Sequence, residues 1–266
     1  MRTSFLLTVF KIDWRQVPVM RSIVFVICLL GSLFYWDLQM KLLALFSYRS
    51  ARAFADRRLY AMASWLFNLA HVYLGLRIVI ERSPGVELPD RFVVVANHQS
   101  LIDIVAVVLA LPCHPVRFVA KKELGHWFPA VSMVLRLQRH ALIDRSGNRE
   151  ATMRELDRLA RRSRGGTCPV IFAEGTRSRT GEVLPFQTGA IRRIVSINSL
   201  PIVAMAIDGG HRVSRLMELS ARGAHLVYRT RLLKVFPADS SKGGVAATLK
   251  QAESMVRGQL EEWHCG

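Results

Sequence analysis

Phe92-Val93-Val94-Val95-Ala96-Asn97-His98-Gln99-Ser100-Leu101-Ile102-Asp103 is an apolar, β-branched run that stops at a cluster of polar side chains. Farther along the chain, Val170-Ile171-Phe172-Ala173-Glu174-Gly175-Thr176-Arg177-Ser178 repeats the pattern. Short apolar runs bounded by turn residues read as buried strands. Open α/β sheets keep their ligand sites at strand exits, where both polar clusters fall.

Working outward from these two stretches, Arg91 to Ala96, Val116 to Ala120, His140 to Ile143, Pro169 to Ala173 and Ile202 to Ile207 read as strands. Ile104 to Leu111, Arg149 to Arg162, Gly189 to Ile197 and Val245 to Trp263 read as helices. Such alternation predicts an α/β fold with a mixed, largely parallel central sheet flanked by helices. The pattern begins at Ser83-Pro84-Gly85, which divides the chain into an N-terminal apolar helical segment, 1–82, and an α/β domain, 83–266. A chain of 266 residues buries one substantial core with room for such an appendage.

In the N-terminal segment, Val17 to Trp36 is a twenty-residue apolar run interrupted by Arg21, long enough to cross a hydrocarbon core. Arg21 lies near its end, where a long side chain snorkels. Leu59 to Leu76 is a second, uncharged run. Its Ser64, Asn68, His71 and Gly75 recur at steps of four, three and four, which predicts a helix that packs this stripe on a partner and offers its other faces to lipid. Cationic residues flank the first run on both sides, so the positive-inside rule leaves a single span, a hairpin in one leaflet and an interfacial pair all open. No small-x-small site follows the first run before Asp37, which argues against a cleaved signal peptide.

The composition points the same way. Hydrophobic residues make up 51% of the chain and the net charge is +17, a pairing suited to an anionic membrane surface or a phosphate-bearing ligand. No zinc spacing, basic helix with interleaved aromatics or other nucleic-acid module is present, so nucleic acid is not an expected partner. Cys28, Cys113, Cys168 and Cys265 are scattered, which indicates neither a disulfide framework nor a zinc pair and fits buried thiols in a reducing compartment.

His98 and Asp103 are five residues apart, about 140° on a regular helix, so they meet only if His98 lies on the turn before the helix and bends back. Asp103 then accepts a proton from one imidazole nitrogen and leaves the other to act as a base. Glu174-Gly175-Thr176-Arg177 brings a carboxylate, a backbone open to close approach, a hydroxyl and a guanidinium fork to one strand exit, a set suited to an anion. Arg145 is a second candidate anion clamp at another strand exit. Ser100 reads as a turn or cap hydroxyl, since no Gly-x-Ser-x-Gly elbow exists in the chain.

Asn97 to Asp103 resembles the histidine-x4-aspartate block of the glycerophospholipid acyltransferases, which include the 1-acylglycerol-3-phosphate acyltransferases. Phe172 to Ser178 resembles that family's phenylalanine-proline-glutamate-glycine-threonine-arginine block. Lys122-Glu123-Leu124 with Pro129, Ile143-Asp144-Arg145, Phe186 with Gly189-Ala190, and Leu200-Pro201-Ile202-Val203 resemble further blocks in the family's order. The resemblance implies a glycerol-3-phosphate acyltransferase-like fold, with 83–266 as the catalytic domain. It implies His98 as catalytic base oriented by Asp103, with Arg145, Glu174, Gly175, Thr176 and Arg177 binding the acceptor's glycerol phosphate. It implies acyl-CoA or acyl carrier protein as co-substrate, no other cofactor, no metal and no covalent acyl-enzyme. Ala173 and Ala204 stand where the family often has proline, and Gln187 where it often has lysine. The first two loosen turns without removing a reacting group; the third removes an anion contact.

The expected function is O-acyl transfer from the thioester to the free hydroxyl of a lysophospholipid. The leading acceptor is 1-acyl-sn-glycerol 3-phosphate, giving phosphatidic acid in phospholipid biosynthesis. The expected location is the membrane, with the catalytic domain facing the cytoplasm. The alternatives are another lysolipid or amino-acid-lipid acceptor, a thioesterase, and a catalytically silent lipid-binding protein of the same fold.

Overall fold

The computed structural model describes residues 18–144, 148–213 and 226–265. Five strands run parallel: β2 (Val93–Ala96), β3 (Val116–Lys121), β4 (Ala141–Ile143), β5 (Cys168–Phe172) and β6 (Ile202–Asp208). β7 (Val227–Phe236) adds antiparallel to β6, and the edge strand β1 (Arg77–Arg82) pairs parallel with β7, giving the order β1-β7-β6-β2-β5-β3-β4. The sheet is thus mixed and largely parallel, and the five expected strands are all in it.

Helices cover both faces, and the period of two along each strand divides the core accordingly. Val94 and Ala96, Val170, and Val203, Met205 and Ile207 point toward α2 (Tyr48–Leu74) and α3 (Ile102–Ala110). Val93, Val95, Ile171, Ile202, Ala204 and Ala206 point toward α5 (Arg149–Ser163), α6 (Gly189–Ile197) and α8 (Lys242–Cys265). Short helices also form at α4 (Val131–Leu137) and α7 (Gly210–Val213), with a 3-10 turn at Lys122–Gly125. β2 leads into α3 on one face and β5 leads through α6 on the other, so a crevice opens between the carboxyl ends of these adjacent strands.

β1, β7 and α4 are elements the sequence pattern did not indicate. β7 alternates Tyr228, Thr230 and Leu232 inward with Arg229 and Arg231 outward. A β-bulge opposite Ala204/Met205 then lets both Leu232 and Leu233 reach the core, each on a different face. β1 lies before residue 83 yet belongs to the sheet, pinned by the cross-strand pair Glu81 and Arg231 at 2.7 Å.

The N-terminal helices form an antiparallel hairpin: α1 (Pro18–Phe46) turns at Ser47 into α2, whose far end meets the start of α1 through Arg21 Nη2 donating to Val72 O. Ser47 caps α2 through its hydroxyl, and Gly75 ends it at φ 69°. Met40 of α1 and Ala51 and Ala55 of α2 bury completely against Met133 and Leu137 of α4. α2 starts eleven residues before the uncharged run, in a stretch where Arg49, Arg57 and Arg58 are exposed and Arg52 is half-buried beside Asp56. Its polar stripe is oriented opposite to expectation: Asn68 and His71 are exposed, whereas Phe67, Ala63 and Ala70 bury in the domain core. The face of α2 that turns inward is the apolar one, which packs on α3 and on Tyr228 of β7. Among the described residues, Met20–Phe46 is the one helix that by length and composition is able to cross a membrane. It presents Ile23, Ile27, Leu30, Phe34, Leu38 and Leu45 outward.

Candidate active site

β2 ends at Ala96, and the chain turns through Asn97 to Leu101 before α3 begins. Asn97 continues the pairing after the strand stops: its Nδ2 donates to Ile207 O at 2.8 Å, and its Oδ1 accepts from Ile207 N at 2.9 Å. This bidentate link ties the turn to β6 and leaves His98 off the helix that carries Asp103, as the spacing requires. His98 Nδ1 lies 2.7 Å from Asp103 Oδ2. The same oxygen accepts the main-chain N–H of Gln99 at 2.6 Å and of Ser100 at 2.9 Å, so Asp103, in the first turn of α3, also holds the turn that precedes the helix. Asp103 is wholly buried and His98 nearly so, with its ring stacked on Phe172 at 4.0 Å and 10°. Ser100 Oγ accepts from Ile102 N at 3.3 Å, a cap contact.

The second block is stitched to the first. Ala173 N donates to Ala96 O at 2.9 Å, Ser178 N to His98 O at 2.7 Å, and His98 N to Glu174 Oε1 at 3.0 Å. Glu174 is therefore buried beneath the loop as a support for the His98 main chain, while Gly175, Thr176 and Arg177 are exposed at the crevice. Burial pushes the Glu174 carboxyl up to about 7, against the opposing pull of the His98 and Leu184 main-chain amides. Gly175 takes φ 70°, a conformation glycine adopts without strain, and this turns the chain outward to present Thr176 and Arg177. Gln187 N donates to Ala173 O at 2.7 Å, so the residue in the family's lysine position packs beside this loop. Arg145 lies outside the described residues.

Three further side chains complete the site. Gln99 Nε2 donates to Asp208 Oδ1 and its Oε1 accepts from Gly210 N, joining the turn to the end of β6. Tyr228 of β7 donates its hydroxyl to Asp103 Oδ1. Asn97 and Gln99 stood inside the quoted block without an assigned role. Tyr228 carried no sequence signal, since 125 residues separate it from Asp103.

Beside the crevice an apolar cavity of about 190 Å³ runs down one face of α3. Leu101, Ile104, Val105 and Val108 line it along the helix, with Ala120, Phe128 and His140 among its other walls. From Leu101 to Val108 is about 10 Å along a helix. The His140 imidazole is held neutral by burial, which drives its pKa down to about 3; its Nδ1 accepts the Phe118 N–H at 2.8 Å.

The comparisons with known proteins agree with this geometry. A family model described as Acyltransferase matches residues 79–208. A 1-acyl-sn-glycerol-3-phosphate acyltransferase of Cocos nucifera is 37% identical over 158 residues, covering 59% of this chain and 49% of that protein. A lyso-ornithine lipid O-acyltransferase of Brucella abortus is 38% identical over 94 residues, covering 35% of this chain and 33% of that one. A solved structure, the 1-acyl-sn-glycerophosphate acyltransferase of Thermotoga maritima, shares the fold with a TM-score of 0.70, covering 95% of this chain and 98% of that chain at 21% identity. The chain spans about half the length of the curated relatives it matches. Residues 79–208, which hold both quoted blocks and the His98–Asp103 pair just described, are similar to that family's model.

Proposed function

We propose that this chain transfers a fatty acyl group from acyl-CoA or acyl carrier protein to the free hydroxyl of a lysophospholipid, with 1-acyl-sn-glycerol 3-phosphate as acceptor and phosphatidic acid as product. The observation that carries the reading is the 2.7 Å contact of His98 with Asp103 between an exposed Gly175-Thr176-Arg177 loop and an apolar cavity. Asp103 holds the Nδ1 proton, so Nε2 takes the proton of the acceptor hydroxyl as its oxygen attacks the thioester carbonyl. Collapse of the tetrahedral adduct breaks the carbon–sulfur bond, and the imidazolium returns the proton to the departing thiolate. A histidine base of this kind contributes on the order of 10² to 10⁴ in rate. Arg177 and the Gly175 backbone suit the acceptor phosphate, and the cavity suits an acyl chain. Glu174, buried beneath the turn, holds the His98 loop through its main-chain N–H.

The membrane part of the reading rests on α1. It lies along α2 and α4 with its apolar face outward, so shallow burial of that face in one leaflet brings the crevice to the lipid surface. A chain of net charge +17 is drawn to an anionic leaflet, which favours the cytoplasmic side.

Purified protein with labelled acyl-CoA or acyl carrier protein and a panel of lysolipids tests the reading. 1-acylglycerol 3-phosphate, other lysophospholipids and lyso-ornithine lipid form the panel. Acylated acceptor that disappears in His98→Ala is the expected result. No transfer to any acceptor, with His98→Ala behaving identically, refutes it, and donor consumption without acylated acceptor identifies a thioesterase.

A further inference from the structure

The two oxygens of Asp103 face different parts of the molecule. Oδ2 receives His98 Nδ1, Gln99 N and Ser100 N, all from its own turn. Oδ1 faces β7 on the same side of the sheet, where the hydroxyl of Tyr228 donates to it. Gly210 closes the same space: a Cβ there would come to 3.0 Å from Oδ1 and 2.8 Å from Gln99 Cβ, so no side chain fits between the β6 turn and the carboxylate. Tyr228 is wholly buried and its ring is fixed edge-on to Phe67 of α2, with centroids 5.8 Å apart. Burial and the Asp103 charge raise the phenol above its ordinary value of 10, which keeps the hydroxyl a donor throughout the working pH range. An ionised carboxylate offers about four acceptor sites, and Tyr228 supplies the donor that the local turn does not.

We propose that Tyr228 is a positioning residue for acyl transfer: by engaging Oδ1 it fixes the Asp103 carboxylate with Oδ2 toward His98 and tempers the carboxylate's hold on the imidazole proton. The inference rests on the reading of His98 as base. A carboxylate with fewer donors concentrates charge on the oxygen facing His98. The imidazolium is then held more tightly, and less of the imidazole stands ready as base at neutral pH. The other titratable groups about the pair are Glu174 after β5, Asp208 at the end of β6, His211 on α7 and His264 on α8, and all are left in place by a change at Tyr228.

Tyr228→Phe keeps the ring and its packing on Phe67. With acyl-CoA and 1-acylglycerol 3-phosphate, the variant is expected to lose about ten-fold in kcat with both KM values unchanged. The acid limb of its kcat/KM profile should move upward by up to about one pH unit. The His98 imidazole titration should move the same way in NMR spectra of histidine-labelled protein, the signal being assigned by its absence in His98→Ala. In an Asp103→Asn background the same substitution should shift neither. Wild-type kcat, midpoint and titration in Tyr228→Phe overturn the proposal, as does a lower Tm with an unmoved midpoint. The titration needs no turnover. If His98→Ala proves fully active, the base assignment fails while the titration still reports whether Tyr228 acts on His98 through Asp103.

Discussion

Glu174→Gln separates support of the His98 loop from contact with substrate. In the wild-type protein the carboxyl gives up its proton near 4.5 when the chain is unfolded and near 7 when folded. Between those values the folded state binds the extra proton, so stability is greatest at the acid end and declines as pH rises toward 7, then levels off. The span corresponds to about 3 kcal/mol, which for a domain of this size is roughly 5–10 °C in Tm. Glutamine does not titrate, and its Oε1 retains the role of accepting the His98 N–H. The variant should therefore lose that decline and gain on the wild type as pH is raised from 5 to 8. Thermal denaturation of both proteins at pH 5, 6, 7 and 8 in one detergent measures the effect as a difference of differences, in which the other titrating groups cancel. Glu174→Ala, by contrast, strands a buried amide at a cost of about 1–3 kcal/mol at every pH. Parallel Tm curves for wild type and Glu174→Gln would refute the argument, because the carboxyl would then be solvated and not beneath the loop.

Two other outcomes follow from the site. Arg177→Ala should raise the acceptor KM about 10- to 100-fold, the worth of one charged hydrogen bond, with the donor KM unchanged; an equal loss confined to turnover contradicts the phosphate role. Val108→Phe, at the lining position of α3 farthest from the His98 turn, should shift the donor preference to shorter acyl chains at an overpacking cost of about 1–3 kcal/mol; an unchanged chain-length profile across a graded series of acyl-CoA donors shows that the chain lies elsewhere.

The parallel strands were legible because strands buried on both faces are continuous apolar runs, and Val93 to Ala96 and Ile202 to Asp208 leave little else to read. β7 was not, since arginines alternate along it and only its pairing with β6 shows that Tyr228 and Thr230 face inward. β1 has no pattern of its own, being an edge strand with mostly exposed side chains. The hairpin was half legible. The helix carrying Ser64, Asn68 and His71 was correct, but which stripe is buried depends on the partners that the fold brings to α2, and no single helix carries that information.

At the site, the sequence by itself determined which polar residues gather at the two strand exits. Strand exit, His98 spacing and the Glu174-Gly175-Thr176-Arg177 order are all local properties of a few consecutive residues. It also required His98 to stand off the helix, from the angle five residues subtend. Tertiary structure alone decided what each polar group faces. Glu174 turned inward to hold the His98 main chain, Asn97 bridged to β6, and Tyr228 came to Asp103 from a strand far along the chain. Buried polar groups are stable only when their partners are in place. Those partners are set by which strands lie side by side, and strand order is a property of the folded sheet.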